Sequence, residues 1–172
     1  MNGQFKVLSP IDFTAEVQKE VLELGLRSGT WKGESDPEYY QEQFLNPRNI
    51  NIIYKNEEGR ISGYILARPH NEIISDYLEL DPLLEKSEVP MFYVDHVNVD
   101  KSGKLIGMQL IIEMIKEANK KRVLRFSLHC RVINRLSVII NKKFKADTIR
   151  RIEKYNDCHD EPFDYMEGNV SL

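Results

Sequence analysis

The chain has 172 residues, of which 41% are hydrophobic and 30% are charged, and its formal net charge at pH 7 is −3. This length allows one sizeable hydrophobic core and is short for two, so we expect a single domain over residues 1–172. No apolar run approaches the roughly 20 residues of a membrane span, the first residues do not resemble a secretory signal, and the two cysteines lack CxxC spacing. These features are typical of a reduced, cytoplasmic protein that does not enter a membrane.

The first half of the chain is predicted to contain three strands and two helices before an acidic segment. Ser9 and Pro10 suit the N-cap and the first position of a helix, and Phe13, Val17 and Val21 repeat at helical spacing after them. The predicted elements are a strand at 4–8, a helix closed by 25–29, a short helix at 37–45, strands at 50–54 and 61–67, and an acidic helical excursion at 72–88.

The second half alternates strands with helices. Met108, Ile111 and Ile115 form one apolar stripe, which predicts an amphipathic helix. The predicted elements are a strand at 91–99, a helix at 105–118, a strand at 123–130, a helix from 134 to about 142, and two closing strands within 144–154 and 163–168. The resulting order, β-α-α-β-β-β-α-β-α-β-β, indicates a mixed α/β sheet with a βαβ unit in its second half.

Charge is distributed unevenly along the chain. Residues 1–100 carry 9 Lys and Arg against 18 Asp and Glu, residues 101–154 carry 15 against 4, and residues 155–172 carry none against 5. The basic middle segment can attract a polyanion, either a nucleotide or a nucleic acid, and the acidic flanks suit a cationic partner. Alternatively, the segments interleave in three dimensions and the charges average out.

A short Gly/Lys loop, residues 101–107, lies between the strand at 91–99 and the next helix. Free backbone N–H groups at a helix N-terminus bind phosphate, and glycine lets the backbone approach the anion closely. Lys101 and Lys104 add positive charge at this junction. By itself the loop is more typical of an ordinary strand-to-helix turn that carries solvated lysines.

In its context the loop resembles part of the GNAT superfamily of N-acetyltransferases. Val97-Asn98-Val99 resembles the strand whose backbone pairs with the pantetheine of coenzyme A, and Ser102 to Gly107 resembles the pyrophosphate loop. Leu128 to Asn134 resembles the fifth strand and the Asn that opens the next helix. Phe144 to Arg151 resembles the following strand, especially that of the ribosomal-protein alanine acetyltransferase branch.

The resemblance implies an α/β (α+β) fold with a mixed, mostly antiparallel sheet, splayed fourth and fifth strands and about four helices. It also implies an N-acyltransferase that moves an acetyl or other acyl group from acyl-CoA to a primary amine by direct attack in a ternary complex. Acetyl-CoA or another acyl-CoA is then the cosubstrate, and no metal is expected. The implied cofactor-binding residues are Val97, Val99, Ser102, Gly103, Lys104, Leu105, Ile106, Gly107, Met108, Asn134, Ser137 and Asn141.

Three residues are candidates for the base that must deprotonate the amine. His129 lies where the alanine-acetyltransferase branch carries a Glu, and an imidazole titrates near neutral pH. Asp95 and His96 lie on the strand expected to splay, and because side chains alternate along a strand only one of the two can face a cleft. A structural role stays open for each, including an ion pair between Asp95 and His96.

The sequence departs from the family pattern at two places. Ser102 and Leu105 replace the usual Gln or Arg and the first Gly of the loop, so the side chain of Leu105 has to point away from a bound pyrophosphate. No Tyr occurs between Phe126 and Lys154, and a gap-free alignment places Asn141 where the family often carries an acidic Tyr. Water or Tyr155 would then protonate the thiolate, or the protein is a degenerate module that binds acyl-CoA or a protein partner without turnover.

Other functions and partners follow less directly. A nucleic-acid-binding protein is the main alternative outside the family, but aromatic residues are not interleaved with the basic residues as a stacking platform requires. The histidines are too scattered for a metal site. The acidic segments 34–42 and 72–88 favour a cationic amine acceptor, and a homodimer is compatible with the family.

Overall fold

Seven strands and five α-helices make up the part of the chain that this computed structural model describes, residues 3–28, 37–100, 104–134, 136–153 and 161–170. The strands are β1 (Gln4–Leu8), β2 (Ile50–Lys55), β3 (Ile61–Pro69), β4 (Met91–Val99), β5 (Arg125–Arg131), β6 (Asp147–Ile152) and β7 (Phe163–Asn169). The helices are α1 (Ala15–Ser28), α2 (Pro37–Leu45), α3 (His70–Tyr77), α4 (Lys104–Lys120) and α5 (Leu136–Phe144). None of them is long and apolar enough to cross a membrane.

The strands form one mixed sheet in the order β1-β2-β3-β4-β5-β7-β6. β1 pairs antiparallel with β2, β2 with β3, and β7 with both β5 and β6, whereas β4 and β5 are parallel. The α+β fold with a mostly antiparallel sheet is therefore confirmed, with five α-helices where about four were expected.

The parallel ladder of β4 and β5 is short. It pairs Met91–Val94 with Arg125–Leu128, and both strands run on past the last pair, β4 to Val99 and β5 to Arg131. Beyond Leu128, β5 continues its antiparallel pairing with β7. The parting of the fourth and fifth strands agrees with the expected splay.

Residues Met1–Ala67 and His96–Glu117 form one compact unit, and Arg68–Asp95 and Ala118–Leu172 form another. In the first unit, α1 and α2 bury an aromatic and aliphatic core that includes Leu24, Phe44 and Tyr64, each fully buried. The helical spacing of Val21 and Leu24 puts both side chains on the buried face of α1. A single domain over residues 1–172 stays a prediction.

Helix α4 packs closely on β3 within the first unit. A Cβ atom added at Gly63 would lie 3.0 Å from Ile106 Cγ2 and 3.2 Å from Leu110 Cδ1, so glycine favours this close approach. The apolar stripe predicted for the helix is buried at Met108, Ile111 and Ile115. Helix α4 runs from Lys104 to Lys120, so it begins one residue earlier and ends two residues later than the sequence predicts.

In the second unit, α5 covers one face of β5. The rings of Phe126 and Phe144 meet edge to face with their centroids 6.3 Å apart. The helix runs from Leu136 to Phe144, whereas the sequence predicted a start at Asn134, which instead ends a 3-10 turn that begins at Val132. The start of the helix lies two residues later than predicted, and of the predicted inward residues Ile140 is buried whereas Ile139 is exposed.

The acidic excursion is helical only in its first part. α3 ends at Tyr77, and the chain then continues irregularly to β4. Pro82 opposes a further helical turn after this end, because proline disfavours the helical conformation in the residue before it. Asp81, at that position, turns inward and is only 2% exposed.

Candidate active site

The proposed pyrophosphate loop, Ser102 to Gly107, is described only from Lys104 onward. Ser102 and Gly103 lie outside the described residues, and Lys104 is described as the first residue of α4. Leu105 is 67% exposed, so its side chain points into solvent from the first turn of the helix. Met108 is turned to the core.

The end of β4 meets α4 within the first unit. A Cβ atom at Gly107 would lie 3.7 Å from Val99 Cγ1 and 3.8 Å from Val97 Cγ1. Val99 also lies close to Gly63, on which Ile106 packs. The structure thus brings together four of the predicted cofactor residues, Val97, Val99, Ile106 and Gly107.

His96 lies on the other face of β4, among tyrosines of α2. Its ring centroid is 5.8 Å from those of Tyr39 and Tyr40. Tyr40 and Tyr64 share a hydrogen bond of 2.9 Å between their hydroxyl groups, and Asn98 donates to the Tyr64 oxygen at 2.5 Å. His96 is therefore part of a buried polar and aromatic cluster of the first unit.

Asp95 is held in an ion pair with Arg68. Arg68 Nη1 lies 3.4 Å from Asp95 Oδ2, and the Tyr77 hydroxyl donates to Asp95 Oδ1 at 2.5 Å. The same Arg68 nitrogen lies 2.9 Å from Asp76 Oδ2. The side chain of Asp95 is fully buried, so these contacts compensate a charge that water does not reach.

His129 is the third candidate base, and it lies one residue past the end of the parallel ladder. Its side chain is only 1% exposed. Nδ1 lies 2.9 Å from the hydroxyl oxygen of Tyr93, and Nε2 lies 2.9 Å from Asp81 Oδ2. Both ring nitrogens of His129 thus have a hydrogen-bond partner. The partner of Nδ1 is a hydroxyl group, which can donate or accept, and the partner of Nε2 is a carboxylate.

These partners determine which nitrogen of His129 carries the proton. Burial lowers the pKa of His129, and this outweighs the nearby Asp81 carboxylate, so the ring is neutral at neutral pH. A carboxylate only accepts, so Nε2–H donates to Asp81. Nδ1 is then unprotonated and accepts a hydrogen bond from the Tyr93 hydroxyl.

Asp81 in turn is paired with Arg150. Arg150 Nε donates to Asp81 Oδ1 at 2.9 Å, and Arg150 Nη2 donates to Oδ2. Burial raises the pKa of Asp81, but the hydrogen bonds from His129 and Arg150 hold it at about 2. Asp81 is therefore ionised throughout the physiological pH range.

Aromatic rings enclose the imidazole. Tyr77 is stacked on it with centroids 5.9 Å apart, and the Tyr165 ring lies at 4.9 Å. The Arg150 guanidinium lies 4.2 Å above the Tyr165 ring. These contacts fix the orientation of the ring and exclude water from its faces.

A second buried histidine in the same unit has only neutral partners. His70 Nδ1 lies 2.8 Å from Ser127 Oγ, and Nε2 lies 2.9 Å from the Glu85 carbonyl oxygen. Burial lowers its pKa as well. His70 thus shows how this unit accommodates a histidine without a carboxylate.

The remaining predicted residues lie on or near α5. The side chain of Asn134 is outside the described residues, and Ser137 is buried. Asn141 donates from Nδ2 to the Ala146 carbonyl oxygen at 2.8 Å, and so closes the end of the helix. Tyr155, considered as an alternative acid, lies outside the described residues.

The sequence analysis missed three residues of the His129 network: Tyr93, Asp81 and Arg150. Tyr93 could have been found, because it precedes Asp95 by two residues and therefore shares its face of the strand. Asp81 and Arg150 carry no such signal. Asp81 is 48 residues from His129 along the chain, and Arg150 is 69 residues from Asp81. Among the described residues, no group of three or more His, Cys, Asp or Glu side chains is arranged to hold a metal ion.

Comparison with known proteins shows the fold. No protein-family model matches the sequence, and a search of curated proteins finds no match. Among solved structures, the chain is similar to the ribosomal-protein-S18-alanine N-acetyltransferase from Escherichia coli, with 12% identity, 99% of this chain and 95% of that chain covered, and a TM-score of 0.71. An aminoglycoside 6'-acetyltransferase type Ii matches with 14% identity, 98% of each chain covered and a TM-score of 0.71.

A further similar structure is that of Arabidopsis thaliana NAA60 in complex with acetyl-CoA. It is 18% identical, with 98% of this chain and 97% of that chain covered and a TM-score of 0.69. At such identities the likeness shows a shared fold, and function has to be argued from the site. The GNAT fold expected from residues 92–151 is thereby confirmed.

Proposed function

We propose that the chain is an N-acyltransferase that moves an acetyl or other acyl group from acyl-CoA to a primary amine by direct attack. The observation that carries the proposal is the position and state of His129. It is a neutral imidazole next to the end of the β4–β5 ladder, with an unprotonated Nδ1 directed at the Tyr93 hydroxyl. The shared fold with acetyltransferases supports the same function.

The chemistry requires a group that removes protons near neutral pH, because a protonated amine is not a nucleophile. In our proposal the Tyr93 hydroxyl passes its proton to His129 Nδ1 as it takes one from the acceptor. Of the three candidate bases, His129 suits this role best. Asp95 is already committed to Arg68 and Tyr77, and His96 lies in the tyrosine cluster of the other unit.

Bonds and protons balance as follows. The amine nitrogen forms a bond to the thioester carbonyl carbon, and the C–S bond breaks. The starting ammonium loses one proton before attack and a second as the amide forms; one goes to the departing thiolate and the other to solvent. Tyr93 and His129 can carry both transfers, so a separate Tyr on α5 is not required. A backbone N–H near Val97 would stabilise the oxyanion.

Acyl-CoA would bind along the end of β4 and the start of α4. Val97 and Val99 pack against Gly107 there, and the first turn of α4 supplies backbone N–H groups for the pyrophosphate. We also retain Ser102, Gly103, Lys104, Leu105, Ile106, Met108, Asn134 and Ser137 as candidate cofactor-binding residues. Asn141 is a weaker candidate, because its amide already binds the Ala146 carbonyl.

The acceptor, the assembly and the cellular compartment are also part of the proposal. We propose a cationic amine, such as a peptide N-terminus, a Lys side chain or a polyamine, because of the acidic residues of segment 72–88. Glu85 and Glu88 of this segment are exposed carboxylates. A cytoplasmic location and a homodimer fit the composition and the fold.

The experiment is thiol release from acetyl-CoA with a panel of amines at low salt. We expect release that depends on an added amine and is faster with cationic than with neutral amines. Equal rates on both kinds of amine would contradict the proposed acceptor class. Acetyl-CoA binding without release on any amine would favour a degenerate module, and binding of DNA in preference to acetyl-CoA would favour the nucleic-acid alternative.

A further inference from the structure

We propose that Asp81 and Arg150 are positioning residues that fix His129 in the tautomer with a proton on Nε2 and an unprotonated Nδ1 that accepts from Tyr93. The inference rests on the proposed function only where it concerns turnover. The tautomer itself is a property of the free protein. Neither residue touches the reacting atoms in this proposal; both act through His129.

Asp81 selects the tautomer by geometry. Its Oδ2 atom lies 2.9 Å from His129 Nε2, a distance at which a carboxylate requires an N–H donor. The opposite tautomer would set the Nε2 lone pair against the carboxylate charge in a site that is almost fully buried. The same tautomer aims the basic Nδ1 at Tyr93.

The local backbone holds Asp81 in place. Its N–H donates to the Tyr77 carbonyl at 2.8 Å, and its Oδ1 accepts from the Leu83 N–H at 3.2 Å. Its carbonyl accepts from the Leu84 N–H at 3.0 Å. A tight turn directly after α3 thus presents the carboxylate to the imidazole.

Arg150 keeps Asp81 ionised and oriented. It engages both carboxylate oxygens, a two-point arrangement that only a guanidinium provides. Its place is fixed by the antiparallel pairing of Arg150 with Tyr165 and by the stacking of the guanidinium over that ring. The chain of contacts therefore runs from Arg150 through Asp81 and His129 to Tyr93.

Packing alone does not require this ion pair. His70, in the same unit, is also buried and is satisfied by a serine hydroxyl and a backbone carbonyl. A buried ion pair is costly to desolvate and is often replaceable by apolar residues without loss of stability. The pairing of His129 with a buried, ionised Asp81 points instead to control of the imidazole.

The test compares Asp81→Asn with Asp164→Asn. Asp164 is also buried and is paired with Arg151, whose Nε lies 2.9 Å from Asp164 Oδ1, so it offers the same kind of ion pair elsewhere in the unit. Long-range ¹H–¹⁵N NMR spectra of the free protein report which nitrogen of His129 is protonated, and thiol release reports turnover.

We expect the wild-type spectrum to show a proton on Nε2 of His129 and none on Nδ1. Asp81→Asn should transfer the proton to Nδ1 or mix the two states, since an amide can donate to Nε2, and it should reduce kcat about 10²-fold or more, by analogy with the orienting aspartate of Ser-His-Asp triads. Asp164→Asn should lower stability and leave both the tautomer and kcat unchanged.

A second variant guards against loss of folding. Arg150→Gln removes the guanidinium from Asp81, and Arg150 lines a cavity of about 400 Å³ that water can enter. This variant should move the His129 tautomer towards Nδ1 protonation as Asp81→Asn does, but by less. A wild-type His129 protonated on Nδ1, or ring-nitrogen signals unchanged in both variants, would overturn the inference. A tautomer change in a protein that releases no thiol would leave the inference standing and refute the proposed function.

Discussion

The hydroxyl oxygen of Tyr93 lies 2.9 Å from Nδ1 of His129, and the two rings meet edge to face with centroids 5.7 Å apart. Tyr93 belongs to β4 and His129 to β5, in the region where the parallel ladder of these strands ends. The pair joins an acid to a base inside a site from which water is excluded. The predictions below concern this pair and the start of α4.

Replacement of His129 should stop turnover without preventing cofactor binding. His129→Ala removes the proposed base, and loss of general-base catalysis typically costs 10²- to 10⁴-fold in rate. It also leaves a buried acceptor on Asp81 without its donor, which should lower stability by about 1–3 kcal/mol. Thiol release, thermal unfolding and stabilisation by acetyl-CoA are to be measured together.

His70→Ala is the matched control for that variant. It also removes a buried imidazole with two hydrogen bonds, but it does not touch Tyr93 or Asp81. A similar loss of stability with retained turnover is expected. If both histidine variants lost activity in proportion to their stability, a catalytic role specific to His129 would be excluded.

Stability should rise with pH in the range where the two buried histidines titrate. Burial lowers the pKa of both His70 and His129 below the ordinary histidine value of 6.5, so the unfolded chain binds more protons below that pH. The stabilisation is complete above the unfolded-state pKa and is lost as pH falls through it towards the folded-state values. Asp81 and Asp12, whose pKa is lowered from 3.8, lose their contributions only at more acidic pH.

Urea unfolding between pH 5 and pH 8 measures this effect. The free energy of unfolding should decrease as the pH falls below about 6.5. His70→Gln and His129→Gln should each remove part of the slope. A free energy that stayed constant or increased toward pH 5 would contradict the neutral state of His129.

A charge at Leu105 should change stability and cofactor affinity in opposite directions. Leu105 is exposed in the first turn of α4, so Glu there should stabilise the helix dipole by about 0.3–1 kcal/mol. The same carboxylate should repel the CoA pyrophosphate and weaken its binding about fivefold at low salt, since one unit charge at a few ångströms in water amounts to about 1 kcal/mol.

Leu105→Lys should show both effects with reversed sign, and added salt should reduce the difference in affinity between the two variants. Calorimetric titration with acetyl-CoA and thermal unfolding provide the two measurements. If the Glu and Lys variants bound acetyl-CoA with identical affinity at low salt, the proposal that the cofactor binds at the start of α4 would be contradicted.

The contact of α4 with β3 can be tested with two alanine substitutions. Gly63→Ala introduces a methyl group 3.0 Å from Ile106 Cγ2 and should destabilise the protein by about 1 kcal/mol or more. Gly107→Ala has ordinary contacts of 3.7 Å or longer and should be stabilising by up to about 1 kcal/mol, because alanine favours a helix over glycine. Equal unfolding free energies for the two variants would contradict the packing described.

The secondary structure could be predicted where a periodic apolar pattern was long enough. The stripe from Met108 to Ile115 predicted α4, and the β-rich segment 91–99 matches β4 in both bounds. The helix predicted over segment 72–88 is too long, because the apolar residues of this segment suggest a helical periodicity that Pro82 interrupts. Asn134 was predicted to open α5, but it ends a 3-10 turn instead.

Residues of the candidate site could be predicted only where their position along a single strand identifies them. His129 was chosen by its place on the fifth strand, and Asp95 and His96 by their place on the fourth. The partners that define the state of His129 come from a turn and from a distant strand, Asp81 and Arg150, and local spacing does not reveal such contacts. The ion pair of Asp95 with Arg68 was not predicted either, since Arg68 comes from the end of β3.

The most direct test of acyl-CoA-dependent function is the unfolding midpoint with and without acetyl-CoA, because it does not depend on knowing the acceptor. At 100 times its dissociation constant, the ligand should stabilise the protein by about 2.7 kcal/mol, which corresponds to a shift of about 5–10 °C for a chain of this size. ATP and a short DNA duplex serve as controls. A shift with acetyl-CoA and little with either control is the predicted result. No shift with acetyl-CoA would contradict the proposed acyltransferase.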